Sequence, residues 1–252
     1  MKEVRKILVA TYTRKYKRSR KPKYGSMNKG FTEEELQKFF LIISNPKFYL
    51  LFKYQATLGL RIGEAVRIHV EDINFRTREL RIETEKARKI DYMLIPKELF
   101  ELTIDYLDRY KEEIKGADGF LFFTDSKYKH IEPNYARNAF REYIQKAGID
   151  EIYASSDDFD NPIQKIDGKP RALHRFTTHS LRHSAITRFS KAINGNIIQA
   201  CKFARHSRPD TTMIYIHSSK EELYRDIDKA FSGEYEKKVR KIIESFNNRK
   251  EF

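Results

Sequence analysis

The chain has 252 residues, 40% apolar and 13% aromatic, enough for a sizeable core in one large domain or two small ones. Its single cysteine, Cys201, excludes an intramolecular disulfide, and no apolar run approaches the roughly 18 residues of a membrane span, so a soluble, cytoplasmic protein with no membrane partner is expected. The net charge of +14 is unevenly spread: residues 1–30 hold eleven Lys or Arg against one acid, Glu3, and leave only about +4 on the rest.

Such a basic arm suits a polyanion, most simply nucleic acid. Its densest part contains Arg14, Lys15, Lys17, Arg18, Arg20, Lys21 and Lys23, interleaved with Tyr12, Tyr16 and Tyr24, which could stack on bases or sugars. These seven cations are the expected DNA contacts of the arm. Gly25 and Gly30 have the spacing of a phosphate-binding loop, but Phe31-Thr32 stand where Lys-Ser/Thr would be required.

The body opens with a helix at Thr32, where Thr32 and Glu35 form a capping box ahead of Leu36, Phe39, Phe40 and Ile43. Asn45-Pro46 breaks it. A second helix is predicted over 47–58, stopped by Gly59, and a short one over 61–68. The period then changes from helical to alternating. Segments 72–75, 79–84 and 90–95 read as three short strands, with the charged stretch 85–89 as a hairpin tip. Helices resume over 97–111 and 133–147. Residues 150–176 are loop-forming and read as a surface insertion, in which Asp157, Asp158 and Asp160 have no catalytic role. Further helices are predicted over 178–192, 195–205, 209–216, 219–231 and 234–248. The fold class is α+β, mainly α, with one small three-stranded antiparallel sheet.

Two stretches carry chemistry. In HSLRH, His179, Arg182 and His183 fall at i, i+3 and i+4 and share a helix face. A metalloprotease helix would need a glutamate between its histidines; here Ser180, Leu181 and Arg182 intervene, and no metal site is assigned. Arginine and imidazole together suit an anion, because a guanidinium grips two phosphate oxygens at once. In GLRIGE, Arg61 stands where a helix begins, and Glu64 one turn on can brace a guanidinium; taken alone, the pair reads more simply as a surface salt bridge within a helix.

Arg61, Glu64, Lys86 on the hairpin tip, His179-x-x-Arg182, His206 and Tyr215 follow one another in an order that resembles the tyrosine recombinase family, the phage-type integrases and Xer-like recombinases. GLRIGE at 59–64, HSLRH at 179–183, ARHS at 204–207 and TTMIY at 211–215 carry the resemblance, which spans about 31–232. It implies the family's catalytic fold, shared with type IB topoisomerases, and a DNA strand-transferase. The catalytic set would be Arg61, Lys86, His179, Arg182, His206 and Tyr215, with Glu64 and His183 behind them. The nucleophile would be Tyr215, attacking a DNA phosphodiester to leave a 3′-phosphotyrosine and a free 5′ hydroxyl. No cofactor is implied, since the phosphotyrosine conserves the bond energy.

Three domains follow: a basic arm (1–30), the catalytic domain (31–232) and a C-terminal helix (233–252). In that helix Tyr235, Val239, Ile242 and Phe246 form an apolar stripe that would dock on its own body or on a neighbouring protomer. The family's cyclic tetramer on double-stranded DNA is the assembly implied. Arg205 departs from the glycine usual before His206, adding a candidate phosphate contact or altering the turn. The family also usually carries an N-terminal helical clamp domain, and only about 30 residues precede the body here. Either the arm takes that domain's place or the chain is a catalytic piece. The expected function is site-specific DNA recombination or integration. The alternatives are a topoisomerase IB-like nicking-closing enzyme and a non-catalytic DNA-binding protein.

Overall fold

A computed structural model describes residues 29–84, 89–155, 170, 172–194 and 196–206. The arm, the hairpin tip that holds Lys86, and everything from Ser207 on, including Tyr215 and the C-terminal stripe, lie outside the described residues. The chain divides into two compact units, Met1–Ala185 and Ile186–Phe252.

The first unit begins with α1 (Glu33–Ile42), whose N-terminus is set by a reciprocal cap. The Glu35 N–H donates to Thr32 Oγ1 (3.2 Å) and the Thr32 N–H donates to Glu35 Oε2 (2.8 Å). Three glutamates in the first turn complement the helix dipole. Helix α2 (Pro46–Leu58) has Asn45 as its N-cap and proline in its first turn. It is buried on nearly every side, from Phe48 to Leu58, and forms the centre of the unit. Its Tyr54 hydroxyl lies 2.9 Å from Thr103 Oγ1, so a buried polar group is satisfied inside the core.

Gly59 ends α2 in the left-handed conformation (φ 60°, ψ 31°), and the short α3 (Ile62–Ala65) follows at once. The expected helix over 61–68 is thus only four residues long, because the chain turns away after Val66 into a 3₁₀ turn, Val70–Asp72. Strands β1 (Ile73–Asn74), β2 (Glu79–Glu83) and β3 (Ile90–Leu94) form an antiparallel sheet in that order. Leu80 and Ile82 face the core while their neighbours face water. Helices α4 (Lys97–Arg109) and α5 (Lys111–Gly116) follow, α4 packed on α2. Helix α6 (Pro133–Lys146) packs on α1 and α3. Phe39 sits at the core centre, with Phe140, Phe52 and Phe31 at ring distances of 5.0, 5.7 and 5.8 Å.

The expected surface insertion at 150–176 is corrected at its flanks. β4 (Ile152–Ser155) and β5 (Ala172–His174) pair antiparallel, closing a second small sheet. The strands are too short to show periodicity, and their pairing partners are about twenty residues apart, so local pattern carries no trace of them.

Helix α7 (Thr178–Ala192) runs from the first unit into the second. In the second unit, α8 (Ile197–Ala204) is capped by Asn196, and Phe189 stacks on Phe203 at 4.3 Å. Among the described residues no helix is long and apolar enough to cross a membrane.

Candidate active site

The turn between α2 and α3 positions Arg61. Gly59 supplies a positive φ that an L side chain adopts at a cost, which reverses the chain within two residues. Leu60 is then fully buried as an anchor, and Arg61 takes the N-cap of α3. Glu64 grips Arg61 at both ends: its Oε2 accepts the Arg61 backbone N–H (2.8 Å) and its Oε1 accepts Nη1 (2.7 Å). The glutamate side chain has no exposure, and that of Arg61 has about one-fifth. A desolvated carboxylate therefore fixes a guanidinium that still reaches the surface.

Arg182 arrives from α7. It is 1% exposed, the largest fully buried side chain among the described residues, and its Nη1 donates to the Gly59 carbonyl. The second arginine is thus tied to the same three-residue turn that presents the first, across more than a hundred residues of chain. The expected common face of His179, Arg182 and His183 is corrected: with Ser180 and Leu181 buried, His179 stays exposed while Arg182 turns into the core and His183 is half-buried. The helix is pinned to the start of the described chain: the Phe31 N–H donates to Ser184 Oγ (2.9 Å), Phe31 stacks on Phe176 (4.1 Å), and Arg175 pairs with Glu35 (2.8 Å).

His179 and His183 meet edge to face at 4.9 Å. Burial, then the nearby cations of Lys29 and Arg182, push His183 down to about 4. It is neutral at physiological pH, one helical turn from the exposed His179.

A cavity of about 700 Å³ opens beside these residues. Lys29, Arg61, Arg137 and Arg141 line it together with His174 and His179, and no carboxylate does so among the described residues. Gln55 also lines it, its Nε2 donating to the Leu60 carbonyl (3.2 Å). Gln55, Arg137, Arg141 and His174 carry no motif and were not singled out from sequence. The one available signal was the polar stripe 134, 137, 138 and 141 on α6, opposite the buried Ala136, Ala139, Phe140 and Ile144. The stripe is readable; that it faces a cavity is not.

Arg61, Glu64, His179, Arg182 and His183 belong to the first unit. Arg205 and His206 belong to the second, at the end of α8. Arg205 adopts the left-handed conformation (φ 53°, ψ 43°), and the N–H groups of Arg205 and His206 close the helix on Lys202 and Cys201 (both 3.1 Å). Lys86, Tyr215 and the arm residues Arg14, Lys15, Lys17, Arg18, Arg20, Lys21 and Lys23 lie outside the described residues. The described part therefore combines the Arg61 guanidinium on the cavity lining, the buried Arg182 guanidinium tied to the same turn, an exposed imidazole and a cationic wall, groups that suit an anion.

Comparison with known proteins bears on the family and the fold. The family model described as "Phage integrase family" matches residues 29–222. Tyrosine recombinase XerA of Pyrococcus furiosus is 28% identical over 220 residues, covering 84% of this chain and 66% of that protein. A tyrosine recombinase of Thermosipho africanus is 26% identical, covering 68% of this chain and 50% of its own length. The chain spans about half to two thirds of the length of these relatives. Among solved structures, XerH bound to palindromic difH substrate in a post-cleavage complex superposes with a TM-score of 0.60 at 20% identity, over 82% of this chain and 54% of that one. The Tn1549 transposon integrase in complex with circular intermediate DNA gives 0.61 at 17% identity, over 88% and 76%. These likenesses establish the fold: mainly helical, with a three-stranded antiparallel sheet. With more than half of its length matched by one family model, the chain belongs to the phage integrase family.

Proposed function

We propose that this protein is a site-specific DNA recombinase or integrase that cuts and rejoins duplex DNA through a covalent 3′-phosphotyrosyl intermediate. One observation carries the reading: buried Arg182 is bonded to the turn Gly59–Leu60–Arg61 that presents Arg61, and Arg61 lines a cationic cavity free of lining carboxylates among the described residues.

Each residue then has a task. The Tyr215 phenol oxygen attacks the scissile phosphorus and the 5′ oxygen departs, so one phosphodiester is exchanged for another and no external energy source is needed. Arg61 and Arg182 hold the non-bridging oxygens and offset the charge that grows on the five-coordinate phosphorus. A guanidinium has five N–H donors, so Arg182 can hold the Gly59 carbonyl and a phosphate oxygen together. His179 assists proton transfer at the nucleophile, Lys86 protonates the leaving 5′ oxygen, and His206 donates to a phosphate oxygen. Neutral His183 packs behind His179 and sets its ring. The reverse attack by a 5′ hydroxyl from a second duplex completes strand exchange. The basic arm and Arg205 contact the DNA backbone, the domain runs over 31–232, and the 233–252 helix links protomers into a tetramer.

The test uses suicide duplexes drawn by binding selection from a random-sequence library. Wild type should form an SDS-stable adduct mapping to Tyr215, and Tyr215→Phe should bind the same duplexes without forming it. An undiminished adduct in Tyr215→Phe would overturn the reading.

A further inference from the structure

We infer that Arg141 forms a second phosphate subsite on the wall of the active-site cavity, and that the Asp150–His174 pair is built to hold it there. The inference rests on the reading of the cavity as a DNA site and names one more place where the backbone is gripped.

Asn134, Arg137, Asn138 and Arg141 lie three or four residues apart on α6 and all line the cavity. The opposite face of the helix is buried in the core, so the stripe has a fixed bearing. Arg137 is tethered along the helix, its Nη1 donating to Asn134 Oδ1 at 2.6 Å. Arg141 is tethered across the fold. Its Nη2 contacts His174 Nε2, and His174 Nδ1 lies 2.8 Å from Asp150 Oδ1. A guanidinium can only donate, so Nε2 accepts, the ring proton sits on Nδ1, and Asp150 Oδ1 accepts the Nδ1–H hydrogen bond. The line of donation runs from Arg141 through the imidazole to a carboxylate.

The order of these groups separates a binding device from a mere tie. A direct Arg141–Asp150 pair would also join α6 to the β4–β5 sheet, but it would place a carboxylate against the cavity. Here the imidazole lines the cavity, and the carboxylate stands behind it, outside the lining. The His174 and Asp150 side chains are 13% and 20% exposed, whereas Arg141 is exposed. The relay thus uses one N–H of Arg141, leaves the fork directed by a nearly rigid ring, and keeps the negative charge away from an incoming phosphate. Much of the side-chain entropy of a long cation is surrendered before DNA arrives, so less is lost on binding.

The experiment uses the full chain and the selected duplexes, reading affinity against salt and covalent adduct in parallel. For Arg141→Gln the log–log salt slope should be shallower by about 0.9, so that affinity falls about 3.5-fold less than in wild type between 50 and 200 mM salt. Arg141→Lys should keep the slope yet bind about tenfold more weakly at fixed salt, having charge without the fork; it carries the test if Arg141→Gln fails to fold. His174→Ala should weaken binding without changing the slope, and should add nothing to Arg141→Gln in the double variant. His174→Gln, whose amide can accept from the guanidinium and donate to Asp150, should restore most of the loss. A wild-type slope and affinity in Arg141→Gln, or additive losses in the double variant, would overturn the relay. If wild type forms no adduct, the strand-transfer reading fails instead; a normal adduct with an unchanged Arg141→Gln slope removes only this subsite.

Discussion

Glu64→Gln is the most incisive substitution in the described site, because it preserves volume while removing one of two acceptors. Both carboxylate oxygens are in use: one accepts the Arg61 backbone N–H at 2.8 Å and the other Nη1 at 2.7 Å. An amide offers one oxygen, and its NH₂ group then confronts an N–H donor. The loss is one hydrogen bond to a charged group, about 1.5–3 kcal/mol, plus part of the penalty for an unsatisfied buried donor. A total of about 3 kcal/mol is expected, and Glu64→Ala, which strands the guanidinium entirely, should reach about 3–5 kcal/mol. Urea unfolding should show a lower midpoint at unchanged slope. Under conditions where the variant stays folded, the rate of adduct formation should fall on the order of 10²-fold, since a displacement of about 1 Å at a positioning group is enough for that. A Glu64→Gln protein with the wild-type midpoint and adduct rate would refute the brace. A lower midpoint with an unaltered rate would place Arg61 away from the reacting phosphate.

The remaining expectations are more local. His183 is held down to about 4 from 6.5, so the unfolded chain takes up its proton first as pH falls. Stability should be fully present above about pH 6.5 and decline toward pH 4 by at most about 1.4 kcal/mol per pH unit, and His183→Asn should flatten that decline in acid titrations of the folded fraction. Arg205→Gly relieves a left-handed side-chain residue and should stabilise the end of α8 by about 1 kcal/mol in urea titrations, while lowering the salt slope by about 0.9 where Arg205 touches a phosphate. Gly59→Ala should cost about 1–2 kcal/mol and slow adduct formation together, because both arginines depend on that turn. Adduct formation should persist in EDTA, and strict dependence on magnesium would contradict charge neutralisation by arginine and lysine alone.

Features governed by neighbours in the chain were legible. The Thr32–Glu35 cap, the stop at Gly59 and the alternation of Leu80 and Ile82 each involve groups within five residues of one another, and each stands in the structure. The α3 helix was overextended because its apolar spacing continues to Ile68 although the backbone turns after Val66. The β4–β5 pairing has no local signature, because two strands of three and four residues give no period and their register is set across a long intervening segment. At the site, GLRIGE and HSLRH announced an anion-binding chemistry, but neither shows that Arg182 is buried on the Gly59 carbonyl.

Amino-acid order alone sets the residue types, their succession along the chain and the ends of most of the described helices, since capping, turn conformation and periodicity are settled by short-range hydrogen bonds and side-chain spacing. Packing in three dimensions settles which surfaces meet. It set Arg182 against the turn that bears Arg61, turned the polar stripe of α6 into a cavity wall and placed Asp150 behind His174. Those contacts join residues up to more than a hundred positions apart, and they arise from the packing of a shared core, which no local pattern encodes.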